Sequence, residues 1–284
     1  MELEPLHNNF GVRVHGVDLT HELDDETIAG IHKAVDDHSL LCFPNQKMTD
    51  DAQLAFTRQL GEPEPEHVHF GRTGEVTFFG TVGNVVDKAT KKDADHVNTR
   101  YQKGNEMWHS DSSFRYVPSY VSILHAYEVP GEGGATLFAS MRTAYESLSG
   151  EMQDAIDPLH VIHDYVFSRA KTAPVDDNHA ASLPPIEHKL VRTNPNNGKK
   201  NYYVGSHARS IVGWGGIDSR KLIDELNQSA TKPDDIYSHF WSVGETVIWD
   251  NRCLLHRGGG YDANRWRRHM RQTRVSGLCN TLDE

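Results

Sequence analysis

From about residue 75 onward the chain is cut into short β-type runs, and no other feature restricts its fold as strongly. The runs fall at 75–80, 107–113, 119–128, 135–139, 158–167, 188–193, 200–205, 237–242, 245–249, 253–257 and 269–276, separated by Gly, Pro and Asn. Many short strands with turn residues between them predict a sandwich or a barrel. Helical patterns interrupt the series at 141–156 and 218–230. The start of the chain reads differently. A strand over 11–19 precedes a helix over 24–38, where Ile28, Ile31, Ala34 and Val35 form an apolar stripe. A short buried strand at 39–45 follows, and Thr49 is placed to cap a helix that stops at Gly61. The expected class is mainly β with peripheral helices.

The net charge of −11 argues against a nucleic-acid surface or a polybasic membrane patch. Against that acidic balance, Arg265, Arg267, Arg268, Arg271 and Arg274 crowd one short segment. The three cysteines, Cys42, Cys253 and Cys279, are widely spaced and odd in number, which fits a reducing compartment better than a disulfide framework. The start "MELEPLHNNF" lacks the basic and apolar regions of a signal peptide, and no apolar run reaches the length of a membrane span. The expected location is cytoplasmic.

"MWHSDSSF" (107–114) sets His109 and Asp111 two residues apart. On a strand, positions i and i+2 share one face, so the imidazole and the carboxylate would aim at the same point. "VIWDNRCLLHRGGGYD" (247–262) adds His256 at the end of an apolar strand. Two histidines and one carboxylate can occupy one face of an octahedral Fe(II) and leave positions open, although zinc accepts the same donors. In "RWRRHMRQTRV" (265–275), Arg267 and Arg271 are four apart and would project to one side of a strand. Their forks suit carboxylates beside a metal, while Arg265, Arg268 and Arg274 read as a solvated edge.

The stretches "NEMWHSDSSF", "GEGGATLF", "WDNRCLLHRGGGYD" and "RRHMRQT" resemble, in order and spacing, the iron(II)/2-oxoglutarate-dependent dioxygenases of the TauD/TfdA family. The likeness extends over nearly the whole chain and is closer to the 2,4-dichlorophenoxyacetate branch than to the taurine branch. It implies a double-stranded β-helix, a distorted jelly roll. It also implies one dioxygenase domain over 1–284, with a mixed α/β part at 1–74, a jelly-roll core at 75–284, and lids at 85–105 and 168–188. By the same resemblance His109, Asp111 and His256 would be the iron ligands. Thr136 and Arg267 would hold the distal carboxylate of 2-oxoglutarate, and Arg271 would serve the cosubstrate or a substrate anion near the metal. Asn105 and His207 would contact substrate, and "WDNR" (249–252) would be a packing element. The cofactors implied are Fe(II), 2-oxoglutarate as cosubstrate and O2. The partner would be a small-molecule substrate, expected to be a carboxylate, and the assembly a homo-oligomer such as the family's dimer.

The expected reaction is hydroxylation of a C–H bond with release of succinate and CO2, followed by cleavage where the new hydroxyl lies beside a leaving group. Two alternatives stay open on the residues. One is an enzyme of specialised metabolism that desaturates or closes a ring in an amino-acid-derived intermediate. The other is a cupin-like metal hydrolase or isomerase, although such an enzyme has no need for a carboxylate clamp.

Overall fold

The structure is a computed structural model that describes residues 1–66, 76–85, 90–96, 99, 102–170, 172, 175 and 177–284. A seven-stranded sheet runs in the order Glu2–Pro5, Val12–His15, Leu40–Phe43, Thr246–Asp250, Ser119–Glu128, His269–Ser276, Gly80–Gly83. Facing it is a three-stranded sheet of Ile236–His239, Thr136–Ser140 and Leu254–Gly258. Every pairing in the two sheets is antiparallel except that of Val12–His15 with Leu40–Phe43. The result is the distorted jelly roll that the resemblance implied.

Strand alternation explains how one sheet serves two cores. In Ser119–Glu128, Val121 and Ile123 pack on one face with Ile31, Val35, Phe56 and Leu60 of the helices Asp25–His38 and Asp50–Leu60. The opposite face sends Leu124 and Ala126 into the roll, where they meet Phe138, Val247, Trp249 and Met270. The two helices form where their caps and apolar spacing predict: Asp24 accepts from the Thr27 N–H, and Thr49 from the Ala52 N–H. A third apolar cluster, around Tyr145, Tyr202, Ile223 and Leu226, packs the helix Gly216–Ala230 beside two further sheets, one of Val191–Thr193 and Lys200–Tyr202, the other of Ala208–Ile211, His160–His163 and Ile186–Lys189.

Several expected elements are corrected. Residues 107–113 form no strand. His109 makes a single antiparallel bridge to His256, and the chain then turns, with Ser112 at φ +54°. The helix expected over 141–156 is two helices, Met141–Glu146 and Gly150–Ile156, because Ser149 caps the second afresh. The lid expected at 168–188 includes the end of the helix Tyr165–Arg169, the helix Asp177–Ser182 and part of the strand Ile186–Lys189. Within the two lid segments, residues 86–89, 97–98, 100–101, 171, 173–174 and 176 lie outside the described residues, as does residue 75 of the first β run. Among the described residues, no helix is long and apolar enough to cross a membrane.

Candidate active site

The bridge between His109 and His256 is closed by two backbone hydrogen bonds, of 3.0 and 2.8 Å, which bring the two imidazole centroids to 4.2 Å. Asp111 faces both rings. Its Oδ1 lies 3.7 Å from His109 Nε2, and its Oδ2 lies 3.7 Å from His256 Nε2. Those separations are too long for hydrogen bonds. The three groups therefore converge without satisfying one another. The Nδ1–H of His109 donates to the Met107 carbonyl at 2.7 Å, which leaves Nε2 with its lone pair toward Asp111.

Burial lowers the pKa of His109, and it brings His256 down to about 3, helped by the adjoining His109. Both rings are thus neutral donors near pH 7. For Asp111 burial opposes ionisation, but the facing His256 and His109, which attract the carboxylate when they carry a proton, the Arg274 guanidinium and the Ser122 hydroxyl more than offset it and hold the carboxyl below its ordinary range. Two neutral imidazoles and one carboxylate aimed at a common point fit an octahedral divalent iron.

A second layer fixes the carboxylate. Asp111 Oδ2 accepts from Ser122 Oγ at 2.6 Å and from Gln272 Nε2 at 2.7 Å. The Asp111 N–H donates to Asn251 Oδ1, which also accepts from Trp249 Nε1, and Asn251 Nδ2 donates to Ser122 Oγ. Asn251 is fully buried. The "WDNR" turn is therefore more than packing, because its asparagine holds both Asp111 and the serine that supports Asp111.

The triad lines a pocket between the two sheets whose wall includes Lys103, Asn105, Thr136, Trp249, Arg268 and Gln272. Thr136 pairs with Gly258 across the small sheet, and its hydroxyl accepts from Trp241 Nε1 at 2.9 Å. The two glycine-rich stretches meet there: the Gly134 N–H donates to the Gly260 carbonyl, and a Cβ on Gly133 would lie 2.8 Å from that oxygen.

The arginine positions correct the sequence reading. Arg267 is not in the pocket wall; its side chain is 38% exposed and forks onto Glu128 at 2.6 and 2.9 Å. Arg268, expected at a solvated edge, is 7% exposed and lines the pocket. Its Nε has no hydrogen-bond partner among the described residues, and burial pushes its pKa down to about 10 with only partial compensation from Tyr261. Arg271 also misses the pocket. It bonds Thr81 Oγ1 at 3.0 Å and Asp50 Oδ2 at 3.3 Å, with its guanidinium over Phe79. In His269–Ser276 the side chains of Met270, Gln272 and Arg274 face the roll, so Arg271 must face away. A one-residue difference on a strand reverses the face. The pocket position near the metal-type triad belongs instead to Gln272.

Asn105 does line the pocket, and its Oδ1 accepts from Arg169 Nη2 at 3.1 Å. His207 does not. It is 4% exposed, packs edge-on to Phe114, and its Nδ1 shares a 2.8 Å hydrogen bond with Ser168 Oγ. Its place is the core behind His109, whose ring centroid lies 6.2 Å away.

Residues 2–274 match the model of the family described as "Taurine catabolism dioxygenase TauD, TfdA family". The chain is 34% identical to an alpha-ketoglutarate-dependent 2,4-dichlorophenoxyacetate dioxygenase of Cupriavidus pinatubonensis, over 99% of this chain and 97% of the relative. It is 32% identical to an (S)-phenoxypropionate/alpha-ketoglutarate-dioxygenase of Sphingobium herbicidovorans, over 97% and 95% of the two chains. The crystal structure of AAD-2 in complex with Mn(II) and N-oxalylglycine superposes with a TM-score of 0.89 at 32% identity, over 99% of this chain and 100% of that one.

Proposed function

Because this chain belongs to the TauD/TfdA family and is an iron(II)/2-oxoglutarate-dependent dioxygenase, we propose that it hydroxylates a C–H bond of a small carboxylate, with His109, Asp111 and His256 as the iron ligands. Iron(II) and 2-oxoglutarate supply the oxidising chemistry when bound: 2-oxoglutarate, O2 and R–H give succinate, CO2 and R–OH. Where the new hydroxyl lies on a carbon bonded to an ether oxygen, the product collapses to an alcohol or phenol and a carbonyl compound, which is net cleavage.

The observation that carries the cosubstrate assignment is the buried guanidinium of Arg268, which lines the same pocket as Thr136 and the triad. A guanidinium removed from water without a counter-charge is costly, and a dicarboxylate seated there would relieve it. Arg268 would fork onto the distal carboxylate and the Thr136 hydroxyl would support it. Neither residue needs to move a proton. Their work is orientation, and the Trp249 and Leu124 side chains in the pocket wall exclude water from the reacting end.

The substrate's anionic group then needs another cation. Among the described residues of the pocket wall, Lys103 is the cationic side chain that remains once Arg268 is committed. It stands exposed in the short 3-10 turn Lys103–Glu106, which also carries Asn105. This geometry, with the phenoxy-acid relatives, supports a substrate whose carboxylate sits toward Lys103 and whose reactive C–H points inward to the triad.

The test is substrate-dependent succinate formation with aryloxy carboxylates, their neutral amides and sulfate esters of similar size. The carboxylates should drive succinate release, and Lys103→Met should raise their KM with little change in the KM for 2-oxoglutarate. Equal turnover of acids and amides would overturn the carboxylate reading, and turnover of sulfate esters alone would replace it.

A further inference from the structure

We infer that Gln272 is a positioning residue, whose amide transmits the rigidity of a buried ion network to Asp111 and keeps that carboxylate turned toward the two histidines. This rests on Asp111 being a metal ligand. Gln272 is 8% exposed and lies in the interior of the large sheet, paired with Leu124 on one side and Gly80 on the other. Its Nε2 donates to Asp111 Oδ2 at 2.7 Å, and its Oε1 accepts from Arg274 Nη1 at 3.3 Å. Arginine can only donate, so the Gln272 oxygen must face Arg274 and the NH2 must face Asp111. The amide cannot flip without setting donor against donor at one end and acceptor against acceptor at the other.

Arg274 is itself immobilised. Its Nε donates to Glu64 Oε1 and its Nη2 to Glu66 Oε2, both at 2.9 Å, and all three side chains are buried. Glu64 is held further by the hydroxyls of Ser112 and Ser119. The chain of contacts therefore runs from two fixed carboxylates through one guanidinium and one amide to Asp111. With Ser122 on the same oxygen, Oδ2 carries two strong donors. A divalent ion held by the triad then meets a carboxylate whose rotation is already set. Partners of this kind around a metal ligand are typically worth roughly 10- to 100-fold in affinity.

The test uses the full-length, metal-free chain titrated with Co(II) and followed by visible absorption. Gln272→Met keeps length and volume without the amide, and Gln272→Asn keeps an amide that falls one methylene short. Both should bind Co(II) roughly 10- to 100-fold more weakly than the parent, with an altered visible spectrum and an unfolding midpoint close to the parent's. In an Asp111→Asn background the Gln272→Met change should cost nothing further, which a merely structural role would not produce. Parent-like Co(II) affinity in both Gln272 variants, or an equal loss in the Asp111→Asn background, would overturn the inference. Parent-like affinity in Asp111→Ala would instead overturn the ligand assignment beneath it.

Discussion

Among the described residues, two sets of three metal-type side chains lie within 4.8 Å of one another: His109, Asp111 and His256, and Cys42, His239 and Glu245. Residue type does not separate them; charge compensation does. In the second set Glu245 already has answers for its charge, from Arg13 Nη1 at 3.2 Å and the Ser242 N–H at 2.7 Å, and His239 Nε2 lies 3.4 Å away. Those partners, led by His239, outweigh burial and bring the Glu245 carboxyl down to about 2. Burial and the nearby Glu245 push the Cys42 thiol up to about 12, so it stays protonated. None of the three lines the pocket. In the first set the hydrogen bonds to the carboxylate come from neutral donors, and the guanidinium of Arg274, which favours an ionised Asp111 from a distance, makes its own hydrogen bonds to Glu64, Glu66 and Gln272. A cation would complete the first set and would compete with Arg13 in the second.

The same contrast between a satisfied and an unsatisfied charge separates the neighbouring arginines. Arg268→Ala should raise the KM for 2-oxoglutarate roughly a hundredfold, equivalent to about 3 kcal/mol for a buried carboxylate that loses its partner. Arg267→Ala removes an exposed pair with Glu128 and should leave that KM unchanged. Steady-state kinetics on the two variants decides between them, and the reverse result would break the placement of Arg268 inside the pocket and Arg267 outside it.

Neutral imidazoles are the other half of the contrast, and pH tests them away from the site. Burial lowers His125 and His188 to about 4 each, helped by Arg192 at His188. An unfolded imidazole titrates near 6.5, so the unfolded chain takes up protons that the native chain refuses. The stability these groups contribute is fully present above pH 6.5 and is lost as the pH falls from there toward 4. Each is worth on the order of 3 kcal/mol across that window. Urea unfolding of the metal-free chain at pH 7.5 and 5 should show the fall, and a flat profile would mean that these rings are charged when folded.

The smallest effect belongs to the self-satisfied set. Cys42→Ala should cost about 1 kcal/mol of stability through lost packing and leave turnover per folded chain intact. A loss of turnover would mean that the two sets are coupled.

Much of this arrangement was legible in the sequence because strand patterns are local. The runs at 119–128 and 269–276 coincide with the observed strands Ser119–Glu128 and His269–Ser276, and Thr49 and Gly61 bound their helix as read. The convergence of His109, Asp111 and His256 was also legible, although its vehicle was a bridge and a turn rather than a strand. What failed was parity. Arg267 precedes the strand His269–Ser276 and Arg271 lies within it, and nothing in a run of five arginines says which of them point inward until the partner strands fix the register. Gln272 carried no signal at all, since its role depends on Asp111, 161 residues earlier, and on an arginine bound to Glu64 across 210 residues.

Metal stoichiometry tests the central claim most directly. The metal-free chain, dialysed against excess Fe(II) without oxygen and then against buffer, should retain one iron per chain in the parent and in Cys42→Ala, and none in Asp111→Ala. Iron retained by Asp111→Ala but lost from Cys42→Ala would contradict the account, because the cation would then sit in the set described as complete without it.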